Sequence, residues 1–335
     1  MPRRRKTAMM LALAMLATSS LAAALEEARY LRIGTGPPGE MHFQLGSLLA
    51  SAVSAPPGLP PCARGGSCGV PGLIAIASAT NGSVANVEAI AEGRLDAGLV
   101  QADVPFWAAT GAPPFAGHPI TSLRAIANIG SDQMHVVVLR DGPIHALRDL
   151  KGKRLSVGEN GSGNQLHARQ LLAALGIKEN EIKEDNQRAA IAADAMVAGK
   201  IDAILVMDAA PSPTVEELAK SKPIRLLAVT GPAAEKLRRG DPLLYPSRIN
   251  AGTYQGVDAD TPTLAIGVTL VASASLSEDL VFALTQSLWQ PATVTLLNDA
   301  RRGGTPVTVA GALSGLGLPL HPGAQRFYAD KRNLR

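Results

Sequence analysis

Two glycine-rich segments are the places where this sequence could bind a charged group. Residues 34–39 (GTGPPG) follow the strand-like segment 30–33 (YLRI), and residues 158–163 (GENGSG) follow the segment 154–157 (RLSV). Apolar residues at helical spacing come directly after each segment, so both predict a strand, a tight loop and the start of a helix. The free N–H groups and the positive dipole end at a helix start favour an anion such as a carboxylate.

The first loop also fits the G-x-G-x-x-G pattern of dinucleotide-binding proteins. That pattern requires an acidic residue about 20 positions further on, to hold the ribose. After Glu40, the next acidic residue is Glu88. Pro37 and Pro38 also remove two backbone donors from the loop. We therefore expect no nucleotide cofactor, and no other cofactor either.

Other patterns of catalytic or metal-binding residues are weak. Residues 65–69 (GGSCG) fit G-x-S-x-G, but the preceding PPGLPPCAR is too rich in proline to form the central strand that a nucleophile elbow requires. None of the six histidines has the spacing of a metal-binding pair. We expect no metal site, and we expect that the protein is not an enzyme.

Composition and charge exclude several kinds of partner. The chain has 335 residues, of which 46% are hydrophobic, 18% charged and 3% aromatic. The formal net charge of +4 is that of Arg3, Arg4, Arg5 and Lys6, and the rest of the chain has 28 basic and 28 acidic residues. A balanced charge with few aromatic side chains argues against a nucleic-acid partner.

The first 24 residues have the pattern of a secretory signal peptide. The four basic residues precede an apolar stretch, 8–17, and the small residues 22–24 offer a cleavage site. We predict export, cleavage after residue 24 and a periplasmic location. In such an oxidising compartment, Cys62 and Cys68 are expected to form a disulfide, and a metal or redox pair is the alternative.

The chain repeats itself at an offset of 106 residues. Segment 89–103 (AIAEGRLDAGLVQAD) matches segment 195–209 (AMVAGKIDAILVMDA). In both, a helix pattern ends at a glycine, Gly93 or Gly199, and an apolar strand follows. Together with the two glycine-rich loops, this predicts two similar α/β lobes with mostly parallel sheets. Ligands in such sheets bind beyond the carboxyl ends of the strands, so a cleft between the lobes is the expected site.

Six segments, in the same order, resemble the TAXI family, the extracytoplasmic solute-binding subunits of one branch of TRAP transporters. The resemblance covers about residues 30–331. Its segments are IGTG at 33–36 with LG at 45–46, TNGSVAN at 80–86, VQADV at 100–104, DLKGKR at 149–154, VG and GSG within 157–163, and PLHPGA at 319–324 with FY at 327–328.

The resemblance implies a type II periplasmic-binding-protein clamshell without catalytic activity. Lobe 1 would comprise residues 25–130 and 262–335, and lobe 2 residues 131–261. The protein, expected as a monomer, would bind a small solute, either an amino acid such as glutamate or glutamine, or a carboxylic acid. It would deliver this solute to TRAP permease subunits in the membrane, driven by an ion gradient. The alternative is a sensory binding protein that reports a ligand to a membrane receptor.

The candidate ligand-binding residues come from the loops and the carboxyl ends of the strands. They are Thr35, Gly36, Glu40, His42, Ser83, Gln101, Asp103, Ser162, Gly163, Asn164 and Asp208. Ser83 is also a candidate cap for the helix that follows it. Glu40 and His42 depart from the family pattern, which has small residues and a tyrosine there. Glu40 would repel a simple anion but could pair with the amino group of a ligand, which favours an α-amino acid.

Overall fold

The structure, a computed structural model, describes residues 28–60, 62–302 and 304–330. The predicted signal peptide lies outside these residues. The chain forms an α/β fold in two lobes, with one continuous mixed sheet flanked by helices. The described residues form twelve strands, which are β1 (Arg29–Gly34), β2 (Ser54–Ala55), β3 (Val70–Pro71), β4 (Leu73–Ser78), β5 (Ala97–Gln101), β6 (Leu123–Leu139), β7 (Arg154–Ser156), β8 (Lys183–Asp185), β9 (Ala203–Asp208), β10 (Ile224–Leu226), β11 (Tyr245–Ile249) and β12 (Thr261–Ser273). Ten of these make up this sheet, and β2 and β3 pair separately.

Ten helices pack on this sheet in the described part of the chain. They are α1 (Met41–Val53), α2 (Ser83–Ala91), α3 (Asp103–Thr110), α4 (Gly163–Ala174), α5 (Ala189–Val197), α6 (Pro213–Ser221), α7 (Gly231–Gly240), α8 (Glu278–Leu288), α9 (Pro291–Ala300) and α10 (Pro322–Ala329). The type II layout implied by the resemblance predicts one helix over residues 276–297, returning to the first lobe. The structure has two helices there, because Pro291 lacks an N–H and begins a new helix.

Each lobe is built around three parallel strands. In the first lobe the order is β4, β1, β5, and in the second it is β9, β7, β8. The remaining pairs of the main sheet are antiparallel, so the sheet is mixed rather than mostly parallel as predicted. The difference arises from β6 and β12, which run against their neighbours.

These two long strands pass from one lobe to the other. The C-terminal part of β12 lies between β5 and the beginning of β6, in the first lobe. The end of β6 instead pairs with β9 and β10, and the beginning of β12 pairs with β11. The predicted lobe boundaries near residues 130 and 262 fall within these strands and stay predictions.

The repeat seen in the sequence has the same structure in both lobes. Gly93 and Gly199 end α2 and α5 with φ values of 73° and 68°, a left-handed conformation that suits glycine. Shortly after each glycine, an aspartate binds an arginine of the first strand of its lobe, as Asp96 binds Arg32 and Asp202 binds Arg154. Each arginine also donates to the carbonyl of its helix-ending glycine.

Buried apolar residues form separate cores in the two lobes. In the first lobe, α1 packs its leucines against β1, β5 and β12, and α8 covers the same face. In the second lobe, β6, β7 and β9 pack against α4 and α7 on one face and against α5 and α6 on the other.

Cys62 and Cys68 form the predicted disulfide, in the loop between β2 and β3. Across the described residues, none of the helices combines the length and the apolar character needed to cross a bilayer.

Candidate functional site

A small cavity lies between the lobes, where the predicted loops meet. Its volume is about 20 Å³, which is room for roughly one water molecule. Nine of the eleven predicted residues line it, together with Pro37, Asn81, Gly82 and Met207. The nine are Gly36, Glu40, His42, Ser83, Gln101, Ser162, Gly163, Asn164 and Asp208.

The first-lobe side of the cavity is formed by the starts of α1 and α2 and by the end of β5. Gly82, not Ser83, stands at the N-cap of α2, so the predicted capping role of Ser83 is wrong. The Ser83 hydroxyl instead accepts a hydrogen bond of 3.1 Å from the backbone N–H of Gln101. This bond joins the first turn of α2 to the end of β5.

The second-lobe side is formed by the start of α4 and the end of β9. Ser162 caps α4, because its Oγ accepts the N–H of Gln165 at 3.0 Å. The Asn164 side-chain oxygen accepts the N–H of Met207 at 2.9 Å, which holds the end of β9 against this helix. The glycine-rich loop and the strand end are thereby fixed relative to each other.

The two sides touch directly around the cavity. The backbone N–H of Ala85 donates to the carbonyl of Gly161 at 3.1 Å, and the Asn81 amide donates to the carbonyl of Asn160 at 3.1 Å. A Cβ added at Gly163 would lie 1.8 Å from the side-chain oxygen of Gln101 in the opposite lobe. The lobes are therefore closed on one another, and glycine is required at residue 163 for this approach.

A buried ion pair lies at the floor of the cavity. His42 Nε2 donates to Asp132 Oδ2 at 2.9 Å, and the Gln101 amide donates to the same oxygen at 3.0 Å. Burial lowers the pKa of His42, but the Asp132 carboxylate outweighs this effect and raises the pKa to about 9. Burial would raise the pKa of Asp132, but His42 holds it below its usual range. His42 is thus a cation whose charge is matched by Asp132.

Two further carboxyl groups face the same small space. Burial, together with the nearby Asp208, raises the pKa of Glu40 to about 8. Burial and the charge of Asp132 raise the pKa of Asp208 to about 7. Asp208 accepts hydrogen bonds from the Ser212 hydroxyl at 2.7 Å and from the Ala209 N–H at 2.9 Å. The raised pKa of Glu40, by contrast, arises from burial and nearby charges and not from a hydrogen bond. Carboxyl groups packed this closely disfavour the binding of an anionic group of a ligand and favour the binding of a cationic group.

Arg301 lies behind the cavity and is fully buried. One guanidinium nitrogen, Nη2, donates to the carbonyl of Ser131 at 3.2 Å, while Nε and Nη1 have no hydrogen-bond partner. Burial lowers the pKa of Arg301, and the nearby Asp132 and Asp208 carboxylates oppose this effect. The positive charge therefore partly balances the acidic residues from the far side of β6.

The structure does not bring the other two predicted residues to the cavity. The Thr35 hydroxyl is buried and donates to the carbonyl of Ser78 at 2.8 Å, so it joins β1 to β4. Asp103 begins α3 directly after β5, and its side chain contacts His167 instead, with Oδ2 accepting from Nε2 at 2.6 Å. These two side chains support the site from outside it.

Asp103 belongs to a second buried cluster of charged residues. Among the described residues, Asp103, His167 and Asp241 form a group whose potential metal-ligand atoms all lie within 4.8 Å of one another. Burial lowers the pKa of His167, but Asp103 outweighs this and raises the pKa to about 8. Burial, followed by the charge of Asp103, raises the pKa of Asp241 to about 7.

Sequence reasoning missed Asp132, Arg301 and the cluster around Asp241. Asp132 had one available signal, since it is the one acidic residue of the long strand β6. Arg301 follows the last residue of α9, more than 160 positions away from Asp132 along the chain, so no spacing rule connects them.

The sequence model of the NMT1-like family matches residues 33–331. The alkanesulfonate-binding protein SsuA from Xanthomonas axonopodis pv. citri, bound to MOPS, is 19% identical over 92% of this chain and 95% of its own, with a TM-score of 0.49. An ancestral arginine-binding protein bound to arginine is 14% identical over 83% of this chain and 100% of its own, with a TM-score of 0.48. A TctC solute-binding protein from Polaromonas is 17% identical over 83% and 90%, with a TM-score of 0.47.

Proposed function

The chain belongs to the NMT1-like family, and we propose that it is an exported solute-binding protein whose two lobes close on a small organic solute. One observation carries this proposal. Glycine-rich helix starts from both lobes line the same cavity as the carboxyl groups of Glu40 and Asp208. The helix starts offer N–H groups to a carboxylate, and the carboxyl groups offer acceptors to an ammonium group.

The solute that fits this arrangement is an α-amino acid. Its carboxylate would lie against the N–H groups of α2 or α4, and its ammonium group would pair with Glu40 or Asp208. A dicarboxylate would place a second negative charge beside three acidic residues, which is unfavourable without a free cation. His42 does not supply that cation, since its charge is matched by Asp132, and Arg301 is not among the residues that line the cavity.

Solute uptake requires the lobes to separate. A cavity of about 20 Å³ is too small for an amino acid, so the closed arrangement must open and then close around the ligand. The long strands β6 and β12 are the two connections about which this movement would occur. The units proposed to move are lobe 1, residues 25–130 and 262–335, and lobe 2, residues 131–261.

The proposed partner is the membrane permease of a TRAP transporter. The six TAXI-like segments support this assignment, and so does the signal-peptide pattern for a periplasmic location. A pull-down from membranes with the tagged mature protein tests the partner. Recovery of permease subunits would support transport, whereas recovery of a receptor with a cytoplasmic signalling domain would favour the sensory alternative.

A thermal-shift screen tests the binding function. The mature protein, residues 25–335, is unfolded and refolded to remove any copurified solute, and is then tested with amino acids, dicarboxylates, keto acids, sugars, phosphate and sulfate. At about 100 times Kd, a ligand adds roughly 2.7 kcal/mol of stability, which is a rise of several degrees in Tm. We expect a rise with an amino acid or another solute that has an ammonium group. A screen without any shift would contradict the proposal.

A further inference from the structure

A second site, away from the cleft, lies where α3 of the first lobe meets α4 and the end of α7 in the second. Asp103 is the first residue of α3, His167 lies on α4, and Asp241 is the C-cap of α7. All three are buried, with exposed fractions of 0%, 1% and 2%. The sites proposed for the solute do not involve His167 or Asp241.

The second ring nitrogen of His167 faces a carboxylate. Its Nδ1 lies 2.8 Å from the carbonyl of Gly163, so this nitrogen carries a proton and donates it. Nε2 faces Asp103 Oδ2 at 2.6 Å, so a cation must lie between these two atoms. That cation is a proton on Nε2 or, when Nε2 is deprotonated, a metal ion.

The two carboxyl groups add to this excess of acceptors. Asp103 Oδ1 and Asp241 Oδ2 are buried, and no donor from the rest of the described chain contacts either oxygen. Asp241 Oδ1 accepts the N–H of Leu243 at 2.9 Å, so only Oδ2 lacks such a donor on that side. Each aspartate offers one carboxylate oxygen to the group whose ligand atoms lie within 4.8 Å of one another. One divalent ion would neutralise the two carboxylates and displace the proton from His167 Nε2, whose lone pair would then bind the ion.

We propose that Asp103, His167 and Asp241 bind one divalent transition-metal ion, with Zn²⁺ as the representative ion, and that this ion bridges the two lobes. The donor set supports this class, because imidazole favours zinc and related ions over calcium or magnesium. The bond from His167 Nδ1 to a backbone carbonyl is the arrangement that usually fixes a metal-ligating histidine. Two carboxylate oxygens and one nitrogen leave a fourth tetrahedral position for water.

The position of the ion gives it a role in closure. Asp103 is in the first lobe and the other two ligands are in the second, so a complete coordination shell exists only when the lobes are together. The ion would therefore stabilise the closed arrangement independently of the solute.

Zinc titration of the metal-free mature protein, without solute, tests this proposal. After chelation and dialysis, Zn²⁺ is added while Tm and tryptophan fluorescence are recorded, and bound metal is counted by mass spectrometry. Trp107 is a suitable reporter, because its ring centroid lies 6.2 Å from that of His167. We expect one equivalent of bound Zn²⁺, a change in fluorescence, and a rise in Tm of roughly 5 °C or more at about 100 times Kd.

Single variants on each side of the interface test the bridge. Asp103→Asn in the first lobe and Asp241→Asn in the second should each weaken Zn²⁺ binding at least about tenfold. Asp194→Asn changes an exposed aspartate of α5 and should leave binding unaltered. His167→Gln replaces either aspartate variant if that variant does not fold.

Two results would overturn the proposal. One is a wild-type protein that neither binds Zn²⁺ nor changes in Tm, which would mean that protons alone balance the carboxylates. The other is binding that persists unchanged in Asp241→Asn or His167→Gln, which would assign the metal to other residues. Neither result bears on solute binding, because the solute screen is carried out without added metal.

Discussion

Asp132 and His42 are an ion pair buried between the lobes, with exposed side-chain fractions of 1% and 9%. Asp132 also accepts a hydrogen bond from Gln101, so one carboxylate oxygen binds two first-lobe side chains. A buried charge that loses its partner is strongly unfavourable, whereas the intact pair contributes little net stability. The pair therefore fixes the shape of the cleft floor more than it stabilises the fold.

Replacing Asp132 is predicted to destabilise the protein sharply. Asp132→Asn removes the charge that balances His42 and should lower the free energy of unfolding by about 3–5 kcal/mol. Urea denaturation of the mature protein measures this change. The exposed Asp141→Asn is the control, and a variant as stable as wild type would show that the ion pair does not form.

The raised pKa values of two titratable groups in the cleft predict that the stability of the folded chain decreases as the pH rises. The pKa of His42, which burial alone would lower, is raised by Asp132 to about 9, and burial raises that of Glu40 to about 8. Each group holds its proton more tightly in the folded chain than in the unfolded one. Its contribution is complete below the unfolded pKa and is lost as the pH passes the folded value. The Tm of the solute-free protein should therefore decrease from about pH 6 to pH 9.

The share of Glu40 in this decrease can be separated by substitution. Glu40→Gln carries no proton that titrates, so its Tm should fall less steeply between about pH 5 and pH 8. Differential scanning calorimetry across this range measures both slopes. Equal slopes in the variant and in wild type would mean that the Glu40 carboxyl is not buried against Asp208.

At the scale of elements, each lobe has a unit of a strand, a glycine-rich loop and a helix. This unit determines how closely the two lobes approach each other. Gly163 begins α4 and faces Gln101 of β5. Gly163→Ala would force the Gln101 side chain away from Asp132 or hold the lobes apart. Overpacking of this kind costs about 1–3 kcal/mol, so the affinity for the solute should fall roughly tenfold.

Calorimetric titration together with small-angle X-ray scattering tests this substitution. We expect weaker binding and a larger radius of gyration in the presence of the solute. Gly240→Ala is the matched control, because a Cβ at the end of α7 meets no atom within 4 Å. Unchanged affinity in Gly163→Ala would show that the solute binds without the close approach described here.

Sequence patterns located the parts of the site that depend on local structure. Glycine loops, helix starts and strand ends have signatures within a few residues, so Gly36, Ser162 and Gly163 could be identified. Asp103 was misplaced because α3 begins directly after β5, which directs its side chain toward His167 rather than into the cavity. A sequence pattern does not indicate the direction in which the Asp103 side chain points.

At the scale of the whole molecule, two lobes and their cleft could be inferred from the repeat. The joining strands could not, because an apolar run that pairs antiparallel looks the same as one that pairs parallel. For this reason the sheet was predicted as mostly parallel, although β6 and β12 make it mixed. The cluster of Glu40, Asp132 and Asp208 likewise depends on strands that are distant in sequence.

The central claim is that a single solute is held from both lobes at once. Isothermal titration of the solute that gives the largest thermal shift tests it with Glu40→Gln in the first lobe and Asp208→Asn in the second. Each variant removes an acceptor for the ammonium group and should weaken one-to-one binding by roughly tenfold or more. The exposed Glu217→Gln serves as the control. Binding that is unchanged in either cleft variant would contradict the account.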